Sequence, residues 1–194
     1  MEEYFDGHTS TSSWPWKSAG KPLATTTTGI AQQEGLLNIN NKVSQYLGTG
    51  WTSEPLEKEN LITSKHLLTM TSGINDESEL VIKANLTYLA DAGLRWSYHN
   101  VFQKLMDVVA EASNLEFESY FNTKLKDKIG MDGSWNYGLI FKIYHSSTRS
   151  MARFGLLALN KGKWVNEQIV SETFFNESIS TSQSINPAYG YLWW

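Results

Sequence analysis

WPWKSAGKPLATTTTGIAQQEG, residues 14–35, is the stretch on which the reading of this chain turns. A Lys, Lys21, follows Ser18 by three positions, with Pro22 directly behind it and Gly35 as a stop signal at the far end. The pattern predicts a helix over 18–34. On a helix, residues i and i+3 are neighbours, with Cβ atoms roughly 5–6 Å apart, so the Lys21 amine can reach the Ser18 hydroxyl. If burial, here expected against Trp16, leaves that amine neutral, it can take the hydroxyl proton. Ser18 would also sit near the positive end of the helix dipole, which favours a developing oxyanion. Pro22 adds a local conflict, because it disfavours helical geometry at Lys21. The run Thr25–Thr28 is made of poor helix formers and is expected to survive only if packed. Chance weighs against over-reading the motif: 21 Ser and 13 Lys in 194 residues produce about one Ser-x-x-Lys at random, and one is present.

A second element lies in RWSYHN, residues 95–100. Tyr98 and Asn100 form a Tyr-x-Asn pair just before the longest amphipathic pattern. A phenol can relay protons, and an amide can both donate to and accept from a substrate carbonyl group and N–H. Tyr-x-Asn occurs twice. The pair at Tyr120 falls inside a helical apolar face and reads as core, whereas Tyr98 falls at a loop-to-helix junction where side chains can converge on a cleft.

Outward from these motifs, helices are predicted within LLNINNKVSQYLG (36–48), at 64–71, at 100–113, at 116–129 and at 147–160. Strand signals sit chiefly at the ends, at Glu2–Phe5 before the Asp6-Gly7 turn and in YGYLWW, 189–194. The chain reads as one helix-rich domain. Its net charge of −4 carries no basic stripe, which argues against a nucleic-acid partner. It has no Cys, and its four His (8, 66, 99 and 145) lack an i+4 partner, so no metal and no cofactor are expected. No apolar run reaches the length of a membrane span. Residues 1–10 have neither the basic nor the apolar region of a leader, so the expectation is a cytoplasmic protein, or a periplasmic or secreted one lacking its leader, of bacterial origin. Glu34 and Asp76 read as solvated surface and not as a glycosidase pair. Trp14, Trp16 and Trp96 flank the candidate residues and could equally line a substrate pocket or pack in the core.

Taken together, SAGKPLATTTTGIAQQEG, ITSKHLLTMTSGIND, RWSYHNVFQKLMDVVAEAS with its KIGM ending, STRSMARFGLLALNKGKW and AYGYLWW resemble, in order and spacing, segments of the β-lactamase-related serine hydrolases. That family includes class C β-lactamases, D-alanyl-D-alanine carboxypeptidases, family VIII-type esterases and 6-aminohexanoate-dimer hydrolases. The resemblance implies an α+β fold, an antiparallel sheet flanked by helices plus a helical region. It implies that Ser18 is the acylated nucleophile, Lys21 its base and Tyr98 the acid/base group for the leaving group and water. Asn100 would hold the substrate amide or ester, with Trp16 and Trp96 beside it. The substrate would be a small ester, amide or β-lactam, and oligomeric state stays open.

The resemblance also implies a third motif, Lys-Thr-Gly or His-x-Gly, some tens of residues beyond YGYLWW. This strand and the first N-terminal strands are expected to lie outside the sequence, leaving mostly the helical region and part of the sheet. His99 stands where a small residue is common and is expected to be a wall residue. A catalytically inactive fragment or a Trp-rich binding module is the alternative, since eight Trp is a high count for this length.

Overall fold

A computed structural model describes residues 2–194. The fold is α+β, and its axis is helix α1, Lys21–Gln33, buried along residues 21–31. The Thr run is housed by hydrogen bonding. Thr27 and Thr28 donate to the carbonyls of Leu23 and Ala24 one turn back, and Thr25 donates to the Tyr191 carbonyl at 2.7 Å. Satisfied hydroxyls remove the burial penalty that would otherwise unseat them. The short helices α2 (Ser44–Leu47), α3 (Leu56–Glu59) and α4 (Ser64–Leu68) follow, then α5 (Lys104–Ser113) and α6 (Phe117–Phe121), which runs on as a π-turn over Asn122–Lys126. Helices α7 (Thr148–Leu159) and α8 (Glu172–Ser178) complete the helical set.

The sheet is small. Strands β1 (Trp14–Pro15), β2 (Ser134–Tyr137) and β3 (Lys142–Ser146) pair antiparallel in the order β1-β3-β2, with Trp14 opposite Ser146 and Trp135 opposite Tyr144. The inner rings of this sheet, Trp135 and Tyr144, tilt against each other; Trp135 meets Phe117 and Phe121 edge-on and Tyr144 meets Phe121 edge-on, an arrangement favoured by the ring quadrupoles. Strands β4 (Lys163–Trp164) and β5 (Glu167–Gln168) form a separate hairpin. Among the described residues, no helix is long and apolar enough to cross a membrane.

Several expectations are corrected. Glu2–Phe5 forms no strand; it lies exposed, tied by Arg149 to Glu2, and the first strand pairing falls at Trp14–Pro15. Residues 189–194 form no strand either. Their backbone bonds go to helix ends and to a tight turn: Tyr191 N–H to Ser178, Leu192 N–H to Leu68, Gly190 N–H to Trp193. The predicted 18–34 and 100–113 helices each open with a 3₁₀ turn, Lys17–Gly20 and Asn100–Gln103. The helix predicted at 64–71 ends at Leu68, and Met70 adopts a left-handed φ of 59°. The pattern at 116–129 breaks into α6 and the π-turn.

Gly29 of α1 is required by close approach. A Cβ there would lie 2.4 Å from two ring atoms of Phe174 on α8 and 2.9 Å from Val170. Gly29→Val is therefore expected to cost about 3 kcal/mol, the upper end of overpacking, read as a shift in the urea midpoint at unchanged slope.

A second expected result concerns a half-buried carboxyl. Glu59 is 1% exposed, and its carboxylate accepts from the Gly50 and Thr52 N–H groups and the Thr52 hydroxyl. Glu54 beside it has a buried oxygen without a partner. Desolvation, with the Glu59 and Asp91 charges and against Lys58, pushes the Glu54 carboxyl from 4.5 up to about 7. The folded state then binds the Glu54 proton more tightly than the unfolded chain, so stability from this group falls as pH rises from 4.5 to about 7. Glu54→Gln is expected to raise Tm over the parent at about pH 8, with the gap closing near about pH 4. An equal gap at both pH values would contradict this.

Candidate active site

The site begins with a strained turn. Lys17 has φ 46°, a left-handed conformation that costs a residue with a Cβ roughly 1–2 kcal/mol. Ser18 follows inside the 3₁₀ turn, and α1 starts at Lys21. Lys21 is helical, φ −58° and ψ −42°, although a Pro follows it. Pro22 itself fits, because the first helical turn has no intrahelical acceptor for the N–H it lacks.

Across this turn the Lys21 Nζ donates to Ser18 Oγ at 3.1 Å. The Tyr98 hydroxyl, from 80 residues away, donates to the same oxygen at 2.8 Å. When the amine is neutral the first bond can reverse, with Ser18 donating to Nζ over the same distance. Lys21 is 8% exposed and lies against aromatic rings, 4.6 Å from the Tyr98 centroid, 5.0 Å from Phe102 and 5.9 Å from Trp194. These contacts replace the expected burial against Trp16. That indole is committed elsewhere, edge-on to Tyr144 and Phe154 and donating to Ser146 Oγ at 2.7 Å.

The Tyr98 loop is held by the segment 76–79. Asp76 accepts from Arg95 at 2.7 Å and from the Ser97 hydroxyl, and these two donors keep its carboxyl below the usual carboxylate range. His99 is buried with Nε2 against the Ser78 carbonyl at 2.7 Å, and Asn100 donates Nδ2 to the Glu79 carbonyl at 3.1 Å. Asp76, read from sequence as solvated surface, is thus an anchor of the loop that carries Tyr98. Its short-range pattern offers no hint of this, because its partners lie about twenty residues on. Glu34 likewise has partners, Tyr120 and Lys124, far from Ser18 in sequence.

Two hollows flank Ser18. One, of about 370 Å³, is lined by Ser18, Lys21, Asn100, Phe102, Gln103 and the start of β3. The other, of about 440 Å³, is apolar and includes an edge of Trp16 with Pro22, Phe154, Trp193 and Trp194. Trp96 stands off from Ser18. It packs edge-on to Tyr189 at 5.4 Å and, with Tyr98 and Trp194, bounds a third hollow of about 460 Å³. Ser18, Lys21 and Tyr98 are therefore brought within hydrogen-bond reach, Asn100 borders the first hollow, Trp16 the second and Trp96 the third. Phe102, Gln103 and Phe141 also border that hollow and were not singled out by the sequence reading. Among the described residues, no cluster of three or more His, Cys, Asp or Glu could hold a metal ion.

The family model described as Beta-lactamase matches residues 2–194. Among solved structures, the chain is similar to a candidate beta-lactamase from Bacteroides dorei (TM-score 0.77, 16% identity, 94% of this chain and 60% of that one). It is also similar to a beta-lactamase from Mycobacterium bovis (0.67, 21%, 89% and 55%) and to a penicillin-binding protein from Bacillus halodurans (0.76, 15%, 95% and 70%). At these identities the likeness is one of fold. The chain spans less than two thirds of the length of the first two. No curated protein sequence matches it.

Proposed function

The chain belongs to the beta-lactamase family, and from that premise we propose that it is the nucleophile-bearing part of a serine hydrolase acting on small esters or amides. The observation that carries this reading is the convergence of Lys21 Nζ and Tyr98 OH on Ser18 Oγ, at 3.1 and 2.8 Å. In the proposed cycle, neutral Lys21 accepts the Ser18 proton as Oγ attacks the substrate carbonyl carbon. The carbonyl π pair moves onto oxygen. The Ser18 N–H, in a first turn without an intrahelical acceptor, is placed to donate to that oxyanion. Collapse of the tetrahedral intermediate breaks the bond to the leaving group, which takes a proton through Tyr98. Water then attacks the acyl–Ser18 ester and the same groups return the proton. Asn100, bordering the hollow, is proposed to hydrogen-bond the substrate beside the scissile bond.

The test is covalent. Treatment with a fluorophosphonate, followed by peptide mass spectrometry, should place the adduct on Ser18, and labelling only elsewhere would refute the mechanism. The competing reading, a Trp-rich binding module, predicts glycan binding with no adduct at Ser18.

A further inference from the structure

The hollow of about 370 Å³ beside Ser18 falls within the range of small-molecule sites, roughly 300–1,000 Å³. Its apolar lining comes from Phe102, whose ring centroid lies 5.0 Å from the Lys21 Nζ, and from Phe141 and Ile143 of the β2–β3 hairpin. The polar groups along it are largely engaged. Asn100 gives an amide N–H to the Glu79 carbonyl and keeps its Oδ1 for the proposed substrate contact, and the Lys142 ammonium is drawn to Asp107 at 3.0 Å. Lys17 is the exposed cation at the rim. Phe141 comes from the β2–β3 hairpin tip, whose turn is closed by the Gly138 N–H on the Phe141 carbonyl at 2.9 Å.

Beside the Lys142–Asp107 ion pair, one amide ties the backbone of this tip to the nucleophile side. Gln103 is 4% exposed, in the turn just past Asn100. Its Nε2 donates to the Ile140 carbonyl at 3.0 Å and its Oε1 accepts from the Lys142 N–H at 2.7 Å. Both ends of the side chain therefore clasp the backbone on either side of Phe141. A buried amide with both ends satisfied by one hairpin fixes that hairpin's position, because without it the amide's own site would hold no partner for the Ile140 carbonyl and the Lys142 N–H, which are only part-buried.

We propose that this hollow takes the acyl side of the substrate and selects an apolar acyl chain, with Phe141 as the selecting wall and Gln103 as the residue that positions it. This rests on Ser18 being the nucleophile. Chain length should therefore enter through Phe141 contact, and not through the outer tip, where Leu139 is 84% exposed and lies outside the lining.

The experiment compares Ser18 labelling by octyl-, methyl- and carboxybutyl-phosphonofluoridates, in which the Oγ–P bond forms as P–F breaks and fluoride and the hydroxyl proton leave. The octyl probe is expected to react fastest. Phe141→Ala should lower the octyl-to-methyl ratio by at least about 10-fold, the scale of lost apolar contact in a pocket. Gln103→Met should lower it by a similar factor, and Leu139→Ser should leave it unchanged. Should Gln103→Met not fold, Gln103→Glu, which keeps an acceptor for the Lys142 N–H and loses the donor to Ile140, is read in the same way. A ratio unchanged by the Phe141 and Gln103 variants, even with slower labelling overall, overturns the proposal. So does preference for the carboxybutyl probe, or an equal loss in Leu139→Ser. Absence of any Ser18 adduct refutes the nucleophile instead. The acyl preference is then decided by the affinities of Ser18→Ala for octanamide against acetamide in ligand-observed NMR, with Phe141→Ala expected to abolish the difference and equal affinities overturning the proposal.

Discussion

Ser18→Ala is expected to bring turnover of a short-chain p-nitrophenyl ester down to background, a loss of about 10⁶ in kcat, the scale seen when a nucleophile is deleted from an acyl-transfer site. The physical case is that nothing nearby can replace the oxygen. Ser18 Oγ is the atom on which Lys21 Nζ and Tyr98 OH converge, and removing it leaves the proposed base and acid with no group to act on. Structure should survive. Ser18 is only partly buried and its hydroxyl is bonded to those two side chains alone among the described residues, so the cost to stability falls within the roughly 1 kcal/mol of a typical hydrogen bond. Circular dichroism and urea unfolding separate loss of chemistry from loss of fold. A folded Ser18→Ala protein with a tenth of the parent rate would remove the acyl-enzyme from the mechanism.

The second large effect concerns the base. Lys21→Arg is expected to slow acylation of Ser18 as far as Lys21→Ala does, by about 10²–10⁴-fold, the contribution typical of a positioned general base. Arg keeps the positive charge but does not deprotonate near neutral pH. If Lys21 served as a fixed cation that orients Ser18 or attracts the substrate, Arg would preserve much of the rate. The site sharpens the contrast. The ammonium position faces the Tyr98 and Phe102 rings, surroundings in which a guanidinium is also held well, so failure of Arg would not follow from loss of a cation site. Pre-steady-state acylation by a chromogenic ester, with folding checked by circular dichroism, gives the comparison. An Arg variant acylating near the parent rate would exclude Lys21 as the proton acceptor.

How much of this was legible beforehand depended on distance along the chain. Helix α7 was read to within a residue at each end, because its apolar positions recur at helical spacing and Ser147 caps it. Part of an antiparallel sheet was expected from the resemblance, but the positions of its strands were not legible. Strands β2 and β3 are short and carry no clean alternation, and β1 has only two residues, whose pairing with β3 spans some 130 positions. A pairing of that separation depends on which apolar faces meet after the helices have packed. The YGYLWW segment misled for the opposite reason. Its aromatic residues have strand propensity, but the backbone found partners at Ser178 and Leu68, and tertiary packing outranks propensity in a short segment.

Within the site the same division holds. The sequence by itself determined that Ser18 and Lys21 can touch, since i and i+3 on a helical turn are neighbours whatever the rest of the chain does. It also determined that Tyr98 stands at a loop-to-helix junction. Only the tertiary structure decided that the Tyr98 hydroxyl meets Ser18 Oγ, that Asp76 anchors its loop, that Trp16 turns into the core, and that Gln103 clasps a hairpin nearly forty residues on. Those contacts close long loops. Their geometry is set by how buried apolar faces pack and by the cost of leaving buried polar groups unpaired, neither of which a local pattern of residues encodes.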